Sequence, residues 1–191
     1  ETGGPVLAPF GVGLAVFVMV GAFAELVGRL GLWHLPLGVT LGRARGLPRS
    51  TWGTALAHFG VGVTLLGIVG DTQWGAERIV ALKPGASTSL RNYDFTFEGV
   101  TQSAGANYRA VTARLVVRRK GALVGTMEPA KRSFPARSST TTEAALMTRG
   151  VSQLYASLGD VNPDGSVVLR IYHKPLVLLI WLGCVVMVMG G

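Results

Sequence analysis

The chain has 191 residues, of which 49% are hydrophobic and 15% charged, and that charged fraction is well below the roughly 25% of soluble domains. Eighteen Lys and Arg against ten Asp and Glu give a net charge of +8. The single cysteine, Cys184, excludes a disulfide framework and a CxxC motif. Because the apolar residues are concentrated in three blocks, the composition favours a membrane protein over a soluble domain.

The first apolar block contains no charged residue from position 2 to position 24. About 20 apolar residues are needed to cross a bilayer as a helix. The block lacks a basic start and is longer than the apolar region of a signal peptide. We therefore expect a transmembrane helix at 5–27. Since the chain starts at Glu1 rather than Met, we expect it to be part of a longer multi-pass protein.

The next segment, 28–50, is basic. It contains Arg29, Arg43, Arg45 and Arg49 and no acidic residue. Short loops rich in Lys and Arg remain in the cytoplasm. We therefore expect a cytoplasmic loop here. Glu25 is four residues before Arg29, a spacing that predicts an ion pair on one helix face.

The second apolar block, 51–70, is uncharged for 20 residues but contains His58. Ionisable groups in membrane spans are rare and usually face other helices or a cavity. Small residues recur beside it at three- and four-residue steps and predict close approach of another helix; they are Gly53, Ala57, Gly60, Thr64 and Gly67. On the residues alone His58 has three interpretations: a packing histidine, a proton-handling group, or a ligand of haem iron or another metal.

Segment 71–174 is predicted to be an all-β domain. Apolar residues recur at every second position in three stretches, 92–100, 108–118 and 166–172. This alternation is typical of strands with one buried face. Phe95, Phe97, Val111, Ala113, Leu115, Val117, Val167, Leu169 and Ile171 form the expected core. Turn signals between them favour a small antiparallel barrel or sandwich. Segment 141–150 is compatible with a short helix or with a further strand.

The third apolar block, 175–191, is uncharged for 17 residues, which is marginal for a span. We interpret it as a transmembrane helix that is cut short. The predicted fold is thus a multi-pass α-helical membrane protein, with three spans in this chain and an inserted antiparallel β domain. Helix alternation places the β domain outside the cytoplasm, in the periplasm of a Gram-negative cell.

The β domain is basic, with 14 basic and 8 acidic residues over 71–174. Two clusters are candidate contacts for anionic lipid, an acidic partner or a carboxylate; they comprise Arg114, Arg118, Arg119, Lys120, Lys131 and Arg132. A solvated face is the alternative. Nucleic acid is not an expected partner of a membrane-anchored extracytoplasmic domain. His34 is interpreted as an interfacial anchor and His173 as a strand-end residue.

Motifs for phosphate loops, metal-binding cysteines and nucleophile elbows are missing from the sequence. No catalytic residue is therefore predicted in this chain.

Six sequence stretches occur in a characteristic order along the chain. They are "AHFGVGVTLLGIVG" at 57–70, "LKPG" at 82–85, "NYDFTFEGV" at 92–100, "GANYRAVTARLVV" at 105–117, "TTEAALMTRGVSQLYASLGD" at 141–160 and "YHKPLVLLIWLG" at 172–183. This ordered set resembles the C-terminal part of the CcmF family, the haem lyase subunit of bacterial cytochrome c maturation. The nitrite reductase maturation proteins share this order.

This resemblance implies a protein of the bacterial inner membrane that takes haem from a haem chaperone. With other maturation subunits it attaches the haem to the CxxCH cysteines of apocytochrome c. It also implies a b-type haem between two membrane histidines, with His58 as one axial ligand and the other upstream. The rival functions are a non-enzymatic assembly scaffold and a transporter of haem or another substrate.

Overall fold

The computed structural model describes residues 6–191. It contains two compact units: a helical unit, which runs to Trp74 and resumes over Pro175–Gly191, and a β unit, Gly75–Lys174. The first predicted span was placed from residue 5, which lies outside the described residues.

The helical unit contains four helices. They are α1 (Ala8–Leu30), α2 (Leu37–Gly46), α3 (Arg49–Trp74) and α4 (Val177–Gly190). Helix α1 begins with a proline in its first turn and ends at Gly31, whose φ of 68° is the left-handed conformation of a helix C-cap.

Two of these helices, α1 with 23 residues and α3 with 26, are long and apolar enough to cross a membrane. Helix α4 has 14 residues. At 1.5 Å per residue it is about 21 Å long, whereas the hydrocarbon core is about 30 Å thick. Of the three spans predicted, two therefore meet the length criterion within residues 6–191, and the third stays a prediction.

The basic segment 28–50, predicted as a loop, contains the ten-residue helix α2. Pro36 immediately precedes the helix, and Arg43 and Arg45 lie in its last turn, where cations interact favourably with the helix dipole. Because α2 is short and mostly exposed, it has no wide apolar stripe that would reveal a helix in the sequence.

Helix α3 packs against α4 through the predicted stripe of small residues. A Cβ atom added at Gly60 would lie 2.7 Å from the carbonyl oxygen of Gly183, and one at Gly67 would lie 2.7 Å from the amide nitrogen of Ile180. The Thr64 hydroxyl donates to the Ile180 carbonyl at 3.5 Å. The expectation that this stripe admits a neighbouring helix closely is confirmed, and α4 is that neighbour.

A second face of α3 packs against α1. A Cβ atom at Gly62 would lie 2.9 Å from the carbonyl oxygen of Ala15. Phe59 meets Phe23 edge to face, with ring centroids 5.3 Å apart. Helix α3 is therefore covered on two faces within this unit.

The β unit is a sandwich of two antiparallel sheets. One sheet has the order β1-β10-β9-β8; the other has the order β2-β3-β4-β6-β7, with β5 also paired to β4. The strands are β1 (Ala76–Leu82), β2 (Ser87–Leu90), β3 (Tyr93–Ala104), β4 (Arg109–Arg119), β5 (Ala122–Met127), β6 (Ala130–Phe134), β7 (Ser139–Glu143), β8 (Ala145–Arg149), β9 (Ser152–Val161) and β10 (Val167–Lys174).

The sandwich core consists of the inward residues that the alternation predicted. Phe95, Phe97, Leu115, Leu169 and Ile171 are all fully buried. Of the nine predicted core residues only Val111 is partly buried, and it packs against the core. The predicted alternation is thus confirmed. Its physical cause is that a strand with one buried face presents every second residue to the interior.

The undecided segment 141–150 forms strands, not a helix. It contains the end of β7 and all of β8. Strand β7 pairs with β6 in one sheet, and β8 pairs with β9 in the other. The chain therefore passes from one sheet to the other at residue 144. The pairing of β7 and β8 with strands of the two sheets shows that segment 141–150 is β-structure.

Candidate functional site

His58 lies on a face of α3 that neither α1 nor α4 covers. We call this the open face; its exposed residues are Thr54, His58, Val61, Ile68 and Thr72. Their spacing of three, four and seven residues is that of one side of an α-helix. Apart from His58 and the two threonines, which can bond back to their own helix, the open face is apolar.

The imidazole of His58 is oriented by its own helix. Its Nδ1 atom lies 2.8 Å from the Thr54 carbonyl oxygen. A carbonyl only accepts, so Nδ1 carries the proton and donates, which leaves the Nε2 lone pair unshared. A backbone carbonyl on one ring nitrogen is the usual means of orienting a histidine whose other nitrogen binds a metal.

The helices of this chain do not enclose His58. The small residues beside His58 predicted a close neighbouring helix, but the stripe that packs on α4 lies on a different face of α3 from His58. A cavity of about 600 Å³ in the helical unit is lined by residues that include Phe23, Trp52 and Phe59, and His58 is not among its lining residues. The Nε2 atom is thus directed away from the interior of the unit.

The other polar residues singled out in the helical unit contact residues that are close to them in sequence. Arg29 and Glu25 form the predicted ion pair at 3.0 Å. His34 is exposed, and its Nδ1 lies 3.1 Å from the Leu32 carbonyl. An exposed i, i+4 pair stabilises a helix by only about 0.3–0.5 kcal/mol, so this pair is a local structural contact.

The six basic residues predicted as a partner contact do not form one free surface. Arg114 is paired with Glu98 at 3.0 Å, Lys131 with Asp160 at 2.9 Å, and Arg132 with Glu143 at 2.9 Å. Arg132 also lies over the Tyr108 ring, 4.5 Å from its centroid. Arg118 donates to the Gly121 carbonyl at 3.3 Å, close to Lys120. These contacts neutralise or engage much of the predicted basic face within the sandwich itself.

The prediction that His173 is a strand-end residue is confirmed, because it is the next-to-last residue of β10, but the sequence did not identify its surroundings. It lines a cavity at one end of the sandwich together with Arg91, Arg119 and Arg149. Burial lowers the pKa of His173, and the positive charges of Arg91 and Arg119 lower it further. The sequence did contain a signal for this grouping, since Arg119 and His173 both occupy positions of the inward alternation.

Within residues 6–191, no group of three or more His, Cys, Asp and Glu side chains could hold a metal ion. His58 is therefore not part of such a group. A single oriented imidazole on an exposed helix face can supply one axial ligand and no more.

A family model described as the CcmF C-terminal beta-sandwich matches residues 73–175. A cytochrome c-type biogenesis protein CycK from Bradyrhizobium diazoefficiens is 54% identical over 189 residues, which is 99% of this chain and 29% of that protein. The cytochrome c-type biogenesis protein CcmF of Escherichia coli is 33% identical over 181 residues, 95% of this chain and 26% of that protein.

A solved structure named cytochrome c haem lyase CcmF has the same fold. It matches with a TM-score of 0.66 and 20% identity, covering 97% of this chain and 38% of that one. The chain therefore spans between a quarter and two fifths of the length of these relatives.

Proposed function

The chain belongs to the CcmF family, and from this premise we propose that it is the C-terminal part of a haem-handling subunit for cytochrome c maturation. In this proposal α1, α3 and α4 lie in the bacterial inner membrane, and segment 28–50, which includes α2, lies on the cytoplasmic side. The β sandwich is periplasmic. The names of its relatives, cytochrome c-type biogenesis protein and haem lyase, support this role.

The observation that carries the proposal is the state of the His58 ring. The Thr54 carbonyl accepts from Nδ1 at 2.8 Å, so Nε2 presents its lone pair from the open face of α3. We propose that His58 is one axial ligand of a b-type haem. The proposal follows the family resemblance in placing the second ligand upstream of this chain.

The chain's own residues would perform defined tasks in this site. Thr54 fixes the imidazole tautomer and the ring plane through its backbone carbonyl. Val61 and Ile68, 39% and 43% exposed, extend the same face as an apolar wall, which would exclude water from the porphyrin edge. The close packing of α3 on α4 keeps the backbone that carries His58 rigid.

The haem, when bound, would supply one-electron transfer. The attachment of haem to the CxxCH cysteines of apocytochrome c is proposed for the complete complex. This complex includes a haem chaperone and other maturation subunits. This chain would contribute one haem ligand, His58, and the group that orients it. We propose no catalytic side chain in the sandwich.

Reduced-minus-oxidised spectra of the protein purified from its own membrane test the proposal. We expect a b-type haem signal in the wild type and its loss in His58→Ala. His34→Ala is the matched control, because it removes the same ring from the same unit and should leave the signal intact. A wild type without b-type haem, or a His58→Ala protein with an unchanged spectrum, would contradict the proposal.

A further inference from the structure

One end of the sandwich interior is lined by polar residues. Along β3, β4 and β10 the inward positions are filled by buried apolar side chains until the last inward position at this end. Those last positions are Tyr93, Arg119 and His173. Arg149 and Ser152, which face each other in the register of β8 and β9, continue the pattern in the sheet that contains β10. Tyr93 is buried at the edge of the core, whereas Arg119 and Arg149 are exposed at its rim.

These residues line a cavity of about 520 Å³, which we call the arginine cavity; its lining is completed by Arg91, Asn92 and Gly150. Both sheets contribute to it. Arg119 and Tyr93 come from one sheet, and the Arg119 guanidinium lies 5.4 Å from the Tyr93 ring centroid. His173 comes from the other sheet, with its ring 6.0 Å from that of Tyr93. The sandwich thus brings the two groups together across its interior.

The arginine cavity has an excess of positive charge. Three guanidinium groups line it, and no carboxylate is among its lining residues in the described chain. Positive charges that gather in one place repel one another, so a bound anion would stabilise this end of the sandwich.

A second observation points to a ligand. The Nδ1 atom of His173 is buried and has no hydrogen-bond partner. Buried polar atoms without partners are rare in folded proteins, and each requires an explanation. Burial lowers the pKa of His173 first, and the positive charges of Arg91 and Arg119 lower it further; only the second cause reflects the positive charge around the cavity.

We propose that the arginine cavity binds a phosphate oxyanion, either free phosphate or the headgroup phosphate of an anionic membrane lipid. The guanidinium group donates two parallel hydrogen bonds to phosphate oxygens. Arg91, Arg119 and Arg149 approach the cavity from three different turns or strand ends, an arrangement that suits a tetrahedral anion better than a planar carboxylate. The site does not depend on the haem ligation proposed for His58.

A lipid source is chemically plausible because the chain enters and leaves the sandwich at this same end. Ala76, at the start of β1, pairs with His173, near the end of β10. Strand β10 ends at Lys174, and the apolar helix α4 begins at Val177. Basic residues next to an apolar helix interact with anionic headgroups.

Calorimetric titration of the intact protein in lipid-free detergent with inorganic phosphate tests the site. We expect saturable binding that Arg119→Gln and Arg149→Gln each weaken by about tenfold or more, the loss expected for one charge-assisted contact. Arg118→Gln is the matched control: it removes the same charge from the neighbouring position, which points out of the sandwich, and should leave affinity unchanged. Thermal melting of each variant confirms that it is folded.

The two sources are separated by native mass spectrometry of the protein from nanodiscs that contain phosphatidylglycerol. Retention of this lipid by the wild type and its loss in both cavity variants would assign the site to a lipid headgroup. Phosphate binding without lipid retention would assign it to free phosphate. The proposal is overturned if neither ligand binds, if Arg118→Gln weakens binding as much as Arg119→Gln, or if succinate binds more tightly than phosphate.

Discussion

The two units of this protein build their interiors in opposite ways. Where α3 meets α4, contact depends on missing side chains, since a Cβ at Gly60 would lie 2.7 Å from the Gly183 carbonyl. In the sandwich, contact depends on large side chains such as Phe95 and Phe97, both fully buried. Added side-chain volume should therefore destabilise the contact between α3 and α4, and lost side-chain volume should destabilise the sandwich.

Phe97→Ala should have the largest effect. Truncating a buried phenylalanine costs about 3–5 kcal/mol, because apolar contacts are lost and a cavity remains. Hydrogen exchange of the β3 and β4 amides in the intact protein measures the free energy of opening the sandwich. Leu123→Ala is the control, since Leu123 is 63% exposed and its loss should change exchange little. Equal effects of the two substitutions would contradict the assigned core.

Gly60→Ala tests whether the helical unit is sensitive to added side-chain volume. We expect it to destabilise the packing of α3 on α4 by about 1–3 kcal/mol, the usual cost of overpacking. Gly13→Ala is the matched control on α1, where an added Cβ meets nothing within 4 Å. There the higher helix propensity of alanine should stabilise the protein by about 0.5–1 kcal/mol. Melting temperatures in detergent should therefore shift in opposite directions, and shifts of the same sign would refute the contrast.

The ion pairs on the outer faces of the sandwich should matter less than either interior. Arg114 and Glu98 have side chains that are 57% and 51% exposed, and exposed pairs contribute about 0–1 kcal/mol. Arg114→Gln should change the free energy of unfolding by no more than this. Exchange of the β4 amides at low and at high salt measures it. A loss comparable to that of Phe97→Ala would mean that this pair is buried in the native protein.

The smallest effect is expected at His173, whose pKa is lowered by burial and by Arg91 and Arg119. A histidine whose pKa is lower in the folded state than in the unfolded state disfavours folding once it is protonated. Its contribution is therefore neutral above the unfolded value of about 6.5 and becomes destabilising as the pH falls below it.

The rate of hydrogen exchange at the imidazole C2 atom, followed by mass spectrometry over pH, measures this pKa. We expect a value below the ordinary value of about 6.5, and we expect added phosphate to raise it toward that value if the arginine cavity binds the anion. A His173 pKa above the ordinary value in phosphate-free buffer would contradict the arrangement.

Much of the sandwich could be predicted because its physical cause is local. A strand with one buried face must alternate, so the inward positions of β3, β4 and β10 were readable from the sequence. Helix α2 was not predicted, because it has no wide apolar stripe. Segment 141–150 was undecided, because pairing with β6 and β9, and not its own composition, makes it two strands.

The two candidate sites also differ in how much of each could be predicted from the sequence. An ionisable ring in an apolar helix identified His58 as exceptional, and the family resemblance assigned it a role. The sequence could not say which face of α3 it occupies, because that depends on where α1 and α4 pack. The arginine cavity was not predicted at all, because Arg91, Arg119, Arg149 and His173 are far apart in the chain.

The sequence by itself determined which segments are apolar helices, which alternate as strands, and which family the chain resembles, because these properties depend on composition and short-range periodicity. Only the tertiary structure decided that the small-residue stripe of α3 packs on α4, that the Thr54 carbonyl and the open face direct the Nε2 atom of His58 outward, and that three arginines and a histidine meet at one end of the sandwich. The physical reason is that these features require residues distant in sequence to approach within a few ångströms.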